Sequence, residues 1–222
     1  WDADAVKEQL DSFVQQGFLI KEKERDVYSL PEKSVKPKIF TTTNVITVSD
    51  DSTRLADLIG KAEYTPDQVF NFLDENPGKS TLELDNNKPS EMTFKMFDPT
   101  SYSIQLKMNK EPFLLVFQEN YDPKWILTGS DSFRLFSLIN NPVVRSEDHL
   151  KVNGYANAWF INPQELCAMK KVSCQENDDG STSVQLYLEF TPQHLLYLGV
   201  ILNCFSVLCF SIWFFMAKEN ST

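Results

Sequence analysis

The chain has 222 residues and a formal net charge of -10, with 42% hydrophobic and 23% charged residues. That balance excludes a disordered acidic tail and a multi-span membrane protein. The acidity excludes a nucleic-acid binder, which must neutralise phosphates. With two histidines, four cysteines and seven glycines, the chain offers neither a conventional zinc site nor a Gly-rich phosphate loop.

At the N-terminus, which opens on Trp1 as a fragment or processed product would, Val6, Leu10, Phe13 and Val14 share one helical face. Asp2 and Asp4 favour the positive helix start, and Gly17 is placed to end the helix. The apolar runs 18–20 and 27–30 flank the charged stretch 21–26 and predict a hairpin with a solvated tip. Pro31 and Pro37 break the chain, and β-rich stretches follow at 39–40 and 45–48. A second short helix is expected with Asp51 or Ser52 as its cap, Leu55, Leu58 and Ile59 on one face, and Gly60 closing it. Residues 76–90 read as a loop or boundary, with a short strand at 81–84.

From Glu91 the period becomes two. Met92, Phe94 and Met96 alternate with polar residues, as do Tyr102, Ile104, Leu106 and Met108, and later Val184, Leu186, Leu188 and Phe190. The unbroken apolar run Phe113 to Phe117 predicts a central strand covered on both faces. Shorter strands are expected at 133–138, 150–152 and 158–161. Asn153, Asn157 and Asn162 lie in a segment that suits turns. The fold class expected is mainly β with flanking α: an antiparallel, jelly-roll-like β-sandwich, preceded by a small α/β segment and followed by one transmembrane helix. The corresponding divisions are 1–88, 89–190 and 191–222.

Leu195 to Ala217 is an uncharged run of 23 residues. At ~1.5 Å per residue it spans about 34 Å, against a bilayer core of roughly 30 Å. Tyr197 and Trp213 suit the two interfaces. Cys204 and Cys209 read as small apolar residues within the run, while Gly199, Asn203, Ser206 and Ser211 could face other helices. The competing reading is a buried core helix. Lys218 is the single basic residue after the run and Glu219 offsets it. The positive-inside rule then puts the C-terminus in the cytoplasm and the body outside the cell membrane, on a linker of about four residues. A tail-anchored cytosolic protein would show the same short tail.

Chemistry is sparse. His149 could act as a general base, but no nucleophile elbow accompanies it, and His194 lies at the membrane boundary. Glu119, Asp122, Glu147 and Asp148 lie near aromatics, yet acids on so acidic a chain are usually solvated surface. No catalytic residue, metal or cofactor is assigned. Outside the cytoplasm Cys167 and Cys174 would form a short-loop disulfide; two unrelated thiols are the alternative. Tyr121, Trp125, Tyr155, Asn157 and Trp159 are candidate carbohydrate contacts, with aromatic faces to stack on sugar rings and polar groups beside them. The alternative is that Trp125 and Trp159 pack in the core.

The blocks EPFLLVFQENYDPKWIL (111–127), HLKVNGYANAWFI (149–161) and LEFTPQHLLYLGVIL (188–202) carry a resemblance, as does the Pro-marked stretch 29–59. Their order is similar to the C-terminal region of YfhO-like and arabinofuranosyltransferase-like membrane proteins of the GT-C glycosyltransferase class, over residues 25–217. Lys124 departs from the pattern, which usually has Gly before the Trp, and this puts the local turn in question. The resemblance implies a parent enzyme using a polyprenyl-phosphate sugar, with its catalytic acid in a loop outside this chain. It implies for this chain a non-catalytic extracytoplasmic domain that braces the helix bundle or contacts an acceptor glycan. The partners would be the lipid bilayer, transmembrane helices of the parent protein and a glycan, with no nucleic acid. A membrane-tethered interaction or adhesion domain and a tail-anchored protein are the alternatives.

Overall fold

The computed structural model describes residues 3–15, 19–22, 27–29, 36–48, 68–78, 82, 84, 91–129 and 142–219. Helix α1 (Ala3–Gln15) is followed by the hairpin of β1 (Ile20–Lys21) and β2 (Tyr28–Ser29). Asp11 ties the two together, accepting from Lys21 Nζ at 2.7 Å and from Tyr28 Oη at 2.8 Å. Val6 and Phe13 remain exposed on α1.

Next come β3 (Ile39–Thr42), β4 (Val45–Val48), β5 (Val69–Phe72), β6 (Glu91–Asp98), β7 (Ser101–Met108), β8 (Phe113–Asn120) and β9 (Trp125–Thr128). A 3-10 turn (Ser146–Asp148) leads into β10 (His149–Val152) and β11 (Ala156–Ile161). Helix α2 (Pro163–Ala168), β12 (Cys174–Glu176), β13 (Thr182–Phe190) and helix α3 (Pro192–Glu219) complete the chain. Asn162 caps α2 by accepting from the backbone N–H groups of Gln164 and Glu165. Cys167 at the end of α2 and Cys174 on β12 form a disulfide, with Cα atoms 5.6 Å apart.

The larger strands form two sheets, ordered β3-β8-β11-β10-β5-β4 and β12-β13-β7-β6, with β9 also on β13. On β13, β7 takes one edge, while β12 and β9 follow each other along the other. The β4–β5 pair is parallel, while the other strand pairs of the two sheets are antiparallel. Strands from both sides of residue 88 share the first sheet, since β3 pairs β8 and β5 pairs β10.

The alternation of side chains explains the layering. Phe113, Leu115 and Phe117 face a core shared with Ile104, Leu106, Leu186 and Leu188 of the second sheet. Leu114 and Val116 face the opposite way, into a second cluster with Leu150, Val152 and Ala158. Strand β8 is thus covered on both faces, as its unbroken apolar run predicts. Each such side chain contributes about 1.5–3 kcal/mol on burial.

Asn153 and Gly154 take positive φ values of 55° and 74° in the β10–β11 turn, where left-handed residues are needed. Asn153 also exchanges hydrogen bonds with the Phe70 backbone, both 2.8 Å, which docks β5 beside the turn. Lys124 is not among the positive-φ residues, so its turn forms without the glycine of the resembled pattern.

One expectation of burial is corrected. Met92 packs on the core, but Phe94 and Met96 are exposed because β6 is the outermost strand of its sheet. The helix expected at 51–60, the strands expected at 133–138 and across most of 81–84, and the Trp213 side chain lie outside the described residues. Within α3, Pro192–Ile212 is long and apolar enough to cross a membrane: 21 residues, mean hydropathy 2.2, 0% buried. The reading of this run as a packed interior helix is thereby excluded.

Candidate functional site

The loop after β8, strand β11 and the start of β10 bring Tyr121, His149, Asn157 and Trp159 together. A register shift between Ala156 and Asn157 bends β11 where it meets β8. There the Asn157 side chain meets the backbone at the end of β8 and in the loop after it. Its Nδ2 donates to the carbonyls of Glu119 (2.9 Å) and Asn120 (3.2 Å), and its Oδ1 accepts from the Asp122 N–H (3.2 Å). Oδ1 also lies 3.1 Å from His149 Nε2. With Oδ1 acting as acceptor, Nε2 carries the imidazole proton.

The His149 ring stacks on Trp159 with centroids 4.6 Å apart and planes at 10°, and Tyr121 lies 5.0 Å away. Burial pushes the His149 pKa down to about 4, opposed in part by the Asn157 hydrogen bond and the Asp122 charge. His149 is therefore neutral at neutral pH, and its Nε2 serves as a donor, which leaves that atom unsuited to the base role the sequence allowed.

Three candidate sugar contacts are buried rather than displayed. Trp125 is 7% exposed, Trp159 2% and Asn157 0%. A stacking platform needs an open face, so these three cannot serve as one. Trp125 lies apart from the cluster, packed 4.8 Å from Phe117 and 5.0 Å from Phe190. Tyr155 is exposed; its backbone carbonyl accepts from the Tyr121 N–H at 2.6 Å.

The exit of the chain into α3 is built tightly. One residue, Thr191, separates β13 from α3; of the four residues expected to link the body to the apolar run, Pro192, Gln193 and His194 already belong to the first turn of α3. The Thr191 N–H and Oγ1 both donate to the Lys124 carbonyl at 3.1 Å. Phe190 donates its N–H to the Thr100 carbonyl at 2.9 Å and lies against Trp125. Pro192 opens the helix, where its missing N–H costs nothing. Glu189 and His194 are both buried there, Oε2 to Nε2 3.7 Å. This pairing has only a faint signal in the sequence, a spacing of five between an acid at a strand end and a base in the next helical turn.

The outer face of the second sheet carries an open depression of about 490 Å³, lined in part by Thr93, Gln105, Lys107, Ser183 and Gln185. One of its amides is engaged internally: Gln185 Nε2 donates to Ser103 Oγ at 3.1 Å and to Tyr187 Oη at 2.8 Å. Among the described residues no group of three or more His, Cys, Asp or Glu side chains could hold a metal ion. The buried cluster can thus clamp the β8–β9 loop to β10 and β11, and the exit can transmit force between the sheets and the helix.

Comparison with known proteins yields no match to any protein-family model, curated protein or solved structure.

Proposed function

We propose that the chain is a non-catalytic extracytoplasmic domain and span of a polyprenyl-phosphate-sugar-dependent membrane glycosyltransferase, and that its role is to brace the helix bundle. The fold is read as a sandwich standing on the outer leaflet, with α3 crossing the bilayer. The observation that carries the bracing role is the exit: a single residue joins β13 to α3, and Thr191 is held twice by the Lys124 carbonyl. A hinge would need slack at this point, and a brace needs stiffness. The burial of Trp125, Asn157 and Trp159 favours bracing over glycan contact.

The test is a flexible Gly-Ser segment inserted between Thr191 and Pro192 in the full-length protein. Sugar transfer from a polyprenyl-phosphate donor is then measured in membranes at matched protein level. Bracing predicts at least tenfold lower transfer, which is about 1.4 kcal/mol of barrier. Unchanged transfer contradicts the bracing role. A full-length protein that shows no transferase activity would replace the enzyme reading with a tethered interaction domain.

A further inference from the structure

We infer that the end of the β body from which α3 departs is a membrane-seating surface, with Phe97, Met96 and Tyr155 resting in the headgroup–acyl boundary of the bilayer that holds α3. This rests on α3 being the membrane span. The strand directions fix which residues share that end. Strand β13 runs toward α3, so the start of its antiparallel partner β7, and hence the β6–β7 turn, lies there. The start of β9 also lies there, since Trp125 pairs with Phe190. Through the short loop Tyr121–Lys124 this places the end of β8 there as well, and with it the β10–β11 turn, whose Tyr155 carbonyl holds the Tyr121 N–H.

The β6–β7 turn lies beside the first turns of α3. Asp98 and Thr100 share a recess with Gln193, His194 and Tyr197. Asp98 shapes the turn by accepting from the Thr100 N–H at 2.8 Å and from its hydroxyl at 2.7 Å. Helix α3 projects from the body instead of folding back, since Leu195 and Leu196 are already exposed. The turn therefore lies level with the entry of the apolar run.

The exposed side chains at this end have interfacial chemistry. Met96 is 55% exposed, Phe97 45% and Tyr155 45%. Lys95 lies with Nζ 5.6 Å from the Phe97 ring centroid, and Lys124 is exposed on the β8–β9 loop. Aromatic rings with adjoining lysines favour the zone where apolar bodies meet acyl chains and ammonium groups meet phosphates. The occupant is lipid, because Tyr197 of α3 continues this belt onto the span itself.

The test uses the whole chain reconstituted in phosphatidylcholine–phosphatidylglycerol vesicles, with an environment-sensitive fluorophore at one cysteine at a time. Phe97→Cys, Tyr155→Cys and Asp178→Cys are made in a Cys204→Ser, Cys209→Ser background, and native Cys209 is labelled in a Cys204→Ser chain. Asp178 precedes β13 at the opposite end, ~27 Å away at about 3.4 Å per strand residue. Lipids spin-labelled at shallow depth should quench positions 97 and 155 at least threefold more than position 178, while deeply labelled lipids quench position 209. Quenching at 209 with 97 and 155 no different from 178 overturns the seating surface alone. Blue-shifted but unquenched emission at 97 and 155 also overturns it, because protein then covers this end. Absence of quenching at 209 overturns the span and the seat together.

Discussion

Asn157 answers three main-chain groups, two at the end of β8 and one in the loop after it, with a single amide. Asn157→Ala would leave those part-buried groups without that partner. It should cost about 1–2 kcal/mol, read as a lower urea midpoint of the detergent-solubilised chain. Its neighbour His149 gives the fold a pH dependence. Burial depresses its pKa from 6.5 to about 4, so between those values the unfolded chain binds a proton that the folded chain refuses. Stability is complete above pH 6.5 and falls as pH drops through that window, by on the order of 3 kcal/mol. An NMR titration should find the His149 midpoint near 4, and His149→Gln should flatten that limb of the stability curve; a midpoint near 6.5 would contradict it. The sequence put Tyr121, Trp125, Tyr155, Asn157 and Trp159 into one group, of which the fold gathers Tyr121, Asn157 and Trp159 around His149 and leaves Trp125 against Phe117 and Phe190. It could not separate platform from core, because an exposed sugar-binding face and a buried core use the same aromatic residues, and only the pairing of β8, β10 and β11 decides which way Trp159 faces.

The elements that were legible are those with a long, clean period. Helix α1, the β1–β2 hairpin, and β6, β7, β8 and β13 were all legible in the alternation or helical spacing of their side chains. Strands β5, β9 and β12 were not. Trp125–Thr128 is too short to show alternation, and Cys174–Glu176 is a polar edge strand. In Val69–Phe72 a fully buried Asn71 breaks the apolar pattern. Its Oδ1 accepts from Asn76 Nδ2 at 2.8 Å, a partner that a linear reading does not supply. Two predictions belong at this scale. A methyl at Gly129 would run into the Lys171 carbonyl oxygen and the Val172 side chain, so Gly129→Ala should destabilise by about 1–3 kcal/mol in thermal or urea unfolding. The disulfide closes a short loop between α2 and β12, so its reduction should cost on the order of 2 kcal/mol. Mass analysis of native material should find Cys167 and Cys174 bonded; free thiols there would instead favour a body on the cytosolic side.

For the molecule as a whole, two sheets around a shared core are joined through one residue to a helix whose apolar surface has no cover in the body. The apolar run was the plainest feature of the sequence, because composition alone defines it. The tightness of its attachment was not, because it depends on hydrogen bonds that Phe190 and Thr191 donate to the carbonyls of Thr100 and Lys124, residues far apart in the chain. The central claim, that α3 lies in lipid while the body stands in water, can be measured with the protein's own side chains. Cys204 and Cys209 are the two free cysteines, and both lie exposed on α3. A charged, membrane-impermeant maleimide should label neither in intact membranes and both after the membranes are dissolved in denaturing detergent. Rapid labelling of both in intact membranes would contradict the claim.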